Sequence, residues 1–169
     1  AALRVMRSAA VRPLPLSGAC WFSGVLYFRL EGSQQAVTAA ARDCLQLMPD
    51  LTHLEDSTHW AAIREFSLPQ LRETPLWCLS VAPAAALGPT DPLVIDWGGA
   101  RRFFRSEDEV RMHALATVGG GFAQRLWGGK SAQADISEPD APMRTLLRRV
   151  KAALDPAGIF NACRLHDWM

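Results

Sequence analysis

The run Gly24-Val25-Leu26-Tyr27-Phe28-Arg29-Leu30 constrains this chain more than any other stretch. Val, Tyr and Phe favour a pleated surface, and a near-continuous apolar run of this length reads as a strand. Glu31-Gly32 ends it, and Ser33 carries the hydroxyl that a helix N-cap needs. Beyond Ser33, Ala36, Val37, Ala40, Ala41, Cys44, Leu45 and Met48 fall on one helical face. Gln34, Gln35, Arg42, Asp43 and Gln46 fall on the other, and Pro49-Asp50 stops the helix. A strand followed directly by an amphipathic helix commits the chain to a layered fold that uses both element types.

The remaining punctuation extends this pattern. Leu3 to Val11 reads as a short helix running into Pro13 and Pro15, which break helices and favour extended backbone. This looks like a connector entering a domain. Leu51 to Glu55 reads as a short strand, and Asp56 or Ser57 caps a helix carrying Trp60, Ile63 and Phe66 inward. Leu76 to Val81 reads as a strand. Leu93 to Asp96 and Arg101 to Phe104 flank Trp97-Gly98-Gly99-Ala100, and Gly-Gly between apolar runs signals a hairpin tip. Ser106-Glu107-Asp108-Glu109 has the form of a capping box for a helix burying Val110, Ala114, Leu115 and Val118. Gly119-Gly120-Gly121 ends that helix, and Phe122 to Leu126 reads as a further strand. Asp140 and Pro142 open a last helix with Met143, Leu146, Leu147, Val150 and Leu154 inward, followed by an irregular tail.

Two strand–helix–strand halves predict an α+β fold, a ferredoxin-like α/β sandwich. The expected sheet is mainly antiparallel with helices on one face, plus the C-terminal helix and tail. The 169 residues amount to about one domain, with 49% apolar and 21% charged residues. A formal charge of +1 gives no reason to expect nucleic acid as a partner. No stretch approaches the roughly 18 apolar residues of a transmembrane helix. The chain starts at Ala1 with no secretory pattern, which suggests a processed protein or a piece of something longer. The four cysteines form no CxxC pair, so zinc spacing is absent and a reducing, cytoplasmic setting is the simpler one.

Three local constellations invite chemistry. His53, Asp56 and His59 have three-residue spacing, yet the break at Pro49 favours a polar loop and helix start over a metal site. Gly119-Gly120-Gly121 and Gly128-Gly129-Lys130 lack the Walker spacing, though Lys130 is available to an anion. Arg101, Arg102 and Arg105 lie beside Trp97, Phe103 and Phe104. Strand alternation puts Arg101, Phe103 and Arg105 on one face and Arg102 and Phe104 on the other. Such a hairpin is either a half-exposed sheet face or a carboxylate-binding site.

The stretch from Leu147 through Asp155-Pro156-Ala157-Gly158-Ile159-Phe160-Asn161-Ala162-Cys163-Arg164-Leu165 resembles the closing motif of FAD-linked oxidases of the vanillyl-alcohol oxidase superfamily. Those proteins end with a helix, then Asp-Pro-x-Gly-Ile-Phe/Leu-Asn-Pro-Gly-Arg/Lys. Here Ala162-Cys163 replace the Pro-Gly. Arg12-Pro13-Leu14-Pro15-Leu16-Ser17 and Leu93-Val94-Ile95-Asp96-Trp97-Gly98-Gly99-Ala100-Arg101 look like the FAD-binding subunits of glycolate oxidases in particular.

The resemblance implies residues 1–20 as a linker from a missing N-terminal FAD-binding domain and 21–169 as the cap or substrate domain. It implies oxidation of a small 2-hydroxy acid such as glycolate to glyoxylate, with FAD as hydride acceptor in the intact subunit. FAD is not expected on this chain alone, which is expected to be inactive. Arg101 is the expected substrate-carboxylate contact, and Asn161 and Arg164 are the expected cofactor-side contacts. The catalytic base is unassigned, with His113 and His166 as candidates by residue type, and no metal is expected. Other glycolate oxidase subunits are the expected partners, in the cytoplasm or held at a membrane through those subunits. Ile159 and Phe160 are expected to be buried. The competing reading is a non-catalytic α+β assembly or regulatory domain that binds partner subunits.

Overall fold

The computed structural model describes residues 1–48, 50–128 and 136–169. Among these, the helices are α1 (Ala2–Ala10), α2 (Gln34–Leu47), α3 (Thr58–Arg64), α4 (Glu109–Val118) and α5 (Ala141–Leu154). The strands are β1 (Leu16–Phe22), β2 (Val25–Leu30), β3 (Leu76–Ser80), β4 (Val94–Asp96), β5 (Arg101–Arg105) and β6 (Phe122–Trp127). They form one six-stranded sheet in the order β2-β1-β4-β5-β3-β6, with every neighbouring pair antiparallel. The α+β class read from the sequence is the class observed.

The local signals work as side-chain chemistry dictates. Ser33 accepts a hydrogen bond from the Ala36 N–H at 3.2 Å and starts α2. Asp140 accepts from the Met143 N–H at 2.9 Å and starts α5. At the expected capping box, Asp108 is the cap, accepting from the Arg111 N–H at 2.9 Å. The Ser106 hydroxyl accepts from the Asp108 N–H at 3.1 Å and sets up that cap.

Alternation along the strands builds two cores. On one face Cys20, Phe22, Val94, Phe103, Leu76 and Cys78 pack with Ile63 of α3 and with Leu68 and Leu71 beside the 3-10 turn Pro69–Arg72. On the other, Trp77, Leu79, Phe104 and Ala123 pack with Met112 and Ala116 of α4. Ala19 and Ile95 share that second side with Met6 of α1. Helices therefore cover both faces, not one. An antiparallel sheet whose strands are apolar on both sides exposes two surfaces that each need a cover.

Other expectations need correction. Residues 51–55 form no strand. Residues 1–20 hold α1 and most of β1, with Met6 and Ala9 buried. The buried face of α4 is Met112 and Ala116, while Val110 and Val118 are exposed. Met112 and Ala116 pack in one cluster with Trp77, Leu79, Phe104 and Ala123 of the sheet, and Gly119 just beyond α4 is closely packed, since a Cβ there would lie 2.6 Å from Val81 Cγ1. The inward face expected for α5 is not buried either: no residue of α5 is, and Met143, Leu146, Val150 and Leu154 are exposed. A 3.6-residue period declares an apolar stripe, but burial needs an opposing surface.

The β4–β5 hairpin turns where the glycines predict, through Trp97–Gly99. Trp97, Gly98 and Gly99 all have positive φ, at 52°, 62° and 105°. Gly99 is also hemmed in, since a Cβ would lie 2.8 Å from Leu3 Cδ2 and 3.0 Å from the Pro83 carbonyl oxygen. Next to the turn, Arg102 is only 2% exposed. It donates through Nε to the Gly99 carbonyl at 3.0 Å and through Nη2 to the Ala85 and Pro83 carbonyls at 2.9 and 3.4 Å. Arg102→Met leaves those carbonyls without their charged donor. The expected loss is about 3 kcal/mol of stability, read as a lowered denaturant midpoint; an unchanged midpoint overturns this role.

Candidate functional site

The antiparallel pairing of Asp96 with Arg101 places both at the hairpin end of the face that carries α3. A cleft of about 630 Å³ opens there, walled by Arg29, Trp60, Arg64, Asp96, Trp97 and Arg101. Arg101 is half-buried. Its Cζ lies 5.1 Å from the centre of the Trp97 ring and 5.3 Å from that of Phe103. Arg29 lies over Trp60 at 5.3 Å, takes Ser17 Oγ as acceptor at 2.9 Å and approaches Glu31 at 3.4 Å. Arg64 pairs with Glu65 at 2.8 Å. Among the described residues, Arg101 has no carboxylate within 4.0 Å. It is therefore a guanidinium held by aromatic faces, with its donors available to an anion.

Behind it the environment is dry. Burial pushes the Cys20 thiol up to about 12, with the Asp96 charge adding to the effect. Burial also raises the Cys78 thiol, against a counter-pull from Arg101. Asp96 is raised by burial, with the Trp97 backbone N–H and the Arg101 charge pulling the other way. The sequence reading singled out Arg101, with Trp97 and Phe103 beside it, from this cleft. The hairpin register could have added Asp96, but nothing in the sequence brings Arg29, Trp60 or Arg64 to it.

The histidines considered as bases lie elsewhere. His113 sits on α4 against Trp77, on the opposite side of the sheet, with Nδ1 2.7 Å from Ser137 Oγ. His166 is buried against Glu138 at 3.1 Å. His53, Asp56 and His59 form no ligand cluster, and no group of three such side chains gathers among the described residues. Asp56 instead accepts from the Thr58 N–H at 2.8 Å, and His59 packs on Tyr27 and Trp60. Gly129 and Lys130 lie outside the described residues.

The closing motif is a self-contained cap. The Asp155 carboxylate accepts from the Ile159 and Phe160 N–H groups at 3.1 and 3.0 Å and from the Lys151 ammonium, which also donates to the Phe160 carbonyl. These donors, Lys151 first, lower the Asp155 carboxyl below its ordinary range. The expectation that Ile159 and Phe160 are buried is wrong: they are 71% and 65% exposed. Their amides, not their side chains, are what the motif holds. Asn161 has φ of 50°, and both it and Arg164 are exposed on the tail. Beyond them, Trp168 stacks on His166, donates to Glu138 at 3.1 Å and lies under Arg144 and Arg148.

FAD, which the closing motif implies, needs backbone N–H groups cradling its pyrophosphate. The Gly119–Gly121 turn does not offer them. A Cβ at Gly121 would lie 1.8 Å from the Ser80 carbonyl oxygen, so this turn is packed against β3. The described residues do not fit that group. No helix among them is long and apolar enough to cross a membrane.

The fold and site define an α+β domain with an arginine-rich, aromatic-walled cleft suited to a small anion. The chain is similar to glycolate oxidase subunit GlcE of Escherichia coli (strain K12), at 34% identity over 162 residues. That similarity covers 92% of this chain and 43% of the relative, so the chain spans less than half the length of the curated relative it matches. No family model and no solved structure matches it.

The cap makes a checkable prediction. A carboxyl whose folded-state pKa is lowered adds stability above its ordinary value of about 3.9, and that stability is lost as pH falls through the lowered value. Asp155→Asn removes the charge at neutral pH. Amide exchange at Ile159 and Phe160 is expected to accelerate several-fold, with the melting of the sheet unchanged. Equal protection in the variant and the parent chain overturns the cap.

Proposed function

We infer that this chain is the C-terminal portion of an FAD-dependent flavoprotein subunit of glycolate oxidase, and that its cleft holds the carboxylate of a small 2-hydroxy acid. The observation that carries this reading is Arg101, a stacked guanidinium without a carboxylate partner at the mouth of a cleft with a dry floor. The similarity to a glycolate oxidase subunit supplies the substrate class. In this reading a preceding domain would hold the flavin, which would supply the hydride acceptor, and Arg101 of this chain would hold the carboxylate of the glycolate. Residues 1–20 lead in from that domain, and 21–169 form the cap. Asn161 and Arg164 reach the cofactor side from the tail. The assembly is cytoplasmic, or attached to a membrane by its other subunits.

A second reading, an assembly domain without a catalytic part, is favoured by α5. Its exposed Met143, Leu146, Val150 and Leu154 make an uncovered apolar stripe, with Ile159 and Phe160 exposed just beyond. Such a stripe suits a partner surface.

Three measurements divide these readings. In the intact subunit with its partners, Arg101→Gln is expected to raise KM for glycolate about 10-fold or more, the worth of a charge-assisted hydrogen bond; an unchanged KM overturns the clamp. Removing residues 161–169 is expected to lower flavin retained per subunit, read by absorbance, and full retention removes Asn161 and Arg164 from the cofactor side. Leu146→Glu with Val150→Glu is expected to abolish co-purification with partner subunits without changing thermal melting. Intact co-purification sinks the assembly reading.

A further inference from the structure

We propose that Asp96 is the residue that selects a 2-hydroxy acid over a plain carboxylic acid, accepting a hydrogen bond from the ligand's α-hydroxyl while Arg101 holds its carboxylate. The proposal rests on the reading above that the cleft takes a small 2-hydroxy acid.

Asp96 is 7% exposed and lines the cleft. It stands at the N-cap position of the Trp97–Gly99 turn, yet its side chain makes no capping hydrogen bond. Among the described residues no cation lies within 4.0 Å of it. Removing a carboxylate from water without a full set of partners is costly. The protein carries that cost at a wall of the cleft, beside a guanidinium with no carboxylate within 4.0 Å among the described residues.

Arg101 is directly opposite Asp96 in the antiparallel register. Facing residues of such a pair have Cβ atoms about 5 Å apart, and an ion pair between them is ordinary. Here Arg101 instead lies over the Trp97 and Phe103 rings. A gap is left between a carboxylate and a guanidinium on the same face.

A ligand with a carboxylate and a hydroxyl on neighbouring carbons matches that gap. Its carboxylate accepts from Arg101, and its hydroxyl, a donor, meets Asp96. A plain acid sets C–H groups against Asp96 and adds no donor to the Trp97 N–H that the carboxylate already has. A dicarboxylate sets like charge against it. An α-amino acid offers a donor too, but its ammonium enters a cleft also walled by Arg29 and Arg64. Burial holds the Asp96 carboxyl above its ordinary range, which makes it a stronger acceptor for a neutral donor. A site whose buried polar group is left unpaired by the wrong ligand discriminates more sharply than an apolar pocket.

The test is calorimetric titration of the chain and of the intact subunit with glycolate, acetate, oxalate and glycine. Glycolate is expected to bind about 10-fold tighter than acetate, one hydrogen bond to a charged group, with oxalate and glycine weaker than glycolate. Asp96→Val is expected to bring the glycolate-to-acetate ratio near one while acetate affinity holds. Asp96→Asn, which keeps an acceptor oxygen, is expected to retain part of the preference. Arg101→Gln is expected to weaken glycolate and acetate alike. An unchanged ratio in Asp96→Val overturns the role of Asp96 alone. Should that variant not fold, a ratio near one in the parent chain, or glycine binding tighter than glycolate, overturns it. If Arg101→Gln leaves both acids unaffected, the carboxylate clamp fails as well, and the failure is traced to the reading beneath.

Discussion

The buried guanidinium of Arg102 organises the hairpin end of the sheet. It satisfies carbonyls from two separate segments, Gly99 in the turn and Pro83 and Ala85 in the loop after β3. Burial lowers its pKa, with the nearby Arg7 charge acting the same way, but an arginine remains charged under all ordinary conditions. A buried cation surrounded by carbonyl dipoles is stable only while all of them stay in place. Arg102 therefore fixes the turn and the loop after β3 as one unit. Because β5 alternates, fixing Arg102 on one face fixes Arg101 on the other.

The cleft inherits its geometry from that constraint. Trp97 follows Asp96 in left-handed backbone, a conformation that costs a non-glycine residue on the order of 1 kcal/mol. It brings the indole ring beneath Arg101. Phe66, another wall of the cleft, is also left-handed, with φ of 53°. Backbone strain is thus concentrated at two walls of the cleft that holds Arg101. Burial pushes the Asp96 carboxyl and the Cys20 and Cys78 thiols behind it upward, while Arg29, Arg64 and Arg101 line the cleft with positive charge.

The tail has a different logic. Asp155, Lys151 and the amides of Ile159 and Phe160 close on one another without help from the sheet. The motif thus folds locally and turns its two large apolar side chains outward. Together with the stripe on α5, this makes an apolar surface continuous with the part of the chain that the closing motif marks. Local hydrogen bonding fixes the shape, and no residue of α5 is buried.

Ser33 and Asp140 announced their helices because capping is a contact between near neighbours in the chain, and Ser106–Glu109 announced a third, although its cap is Asp108. The hairpin at Gly98-Gly99 was legible for the same reason, and with it the opposite facing of Arg101 and Arg102. Residues 51–55 show the limit, since a short apolar run becomes a strand only if a neighbour is free to pair with it. So do Val110 and Val118, because the face of α4 that is buried is the one that meets Trp77, Leu79 and Ala123, a meeting between distant parts of the chain. The meeting of Arg29, Trp60 and Arg64 with Arg101 was beyond the sequence, as was the exposure of the α5 stripe. Sequence determines what each segment prefers over a few residues, where chain connectivity fixes the distances. Which segments then face one another depends on long-range packing, and that alone placed the arginines around one cleft and left one apolar stripe uncovered.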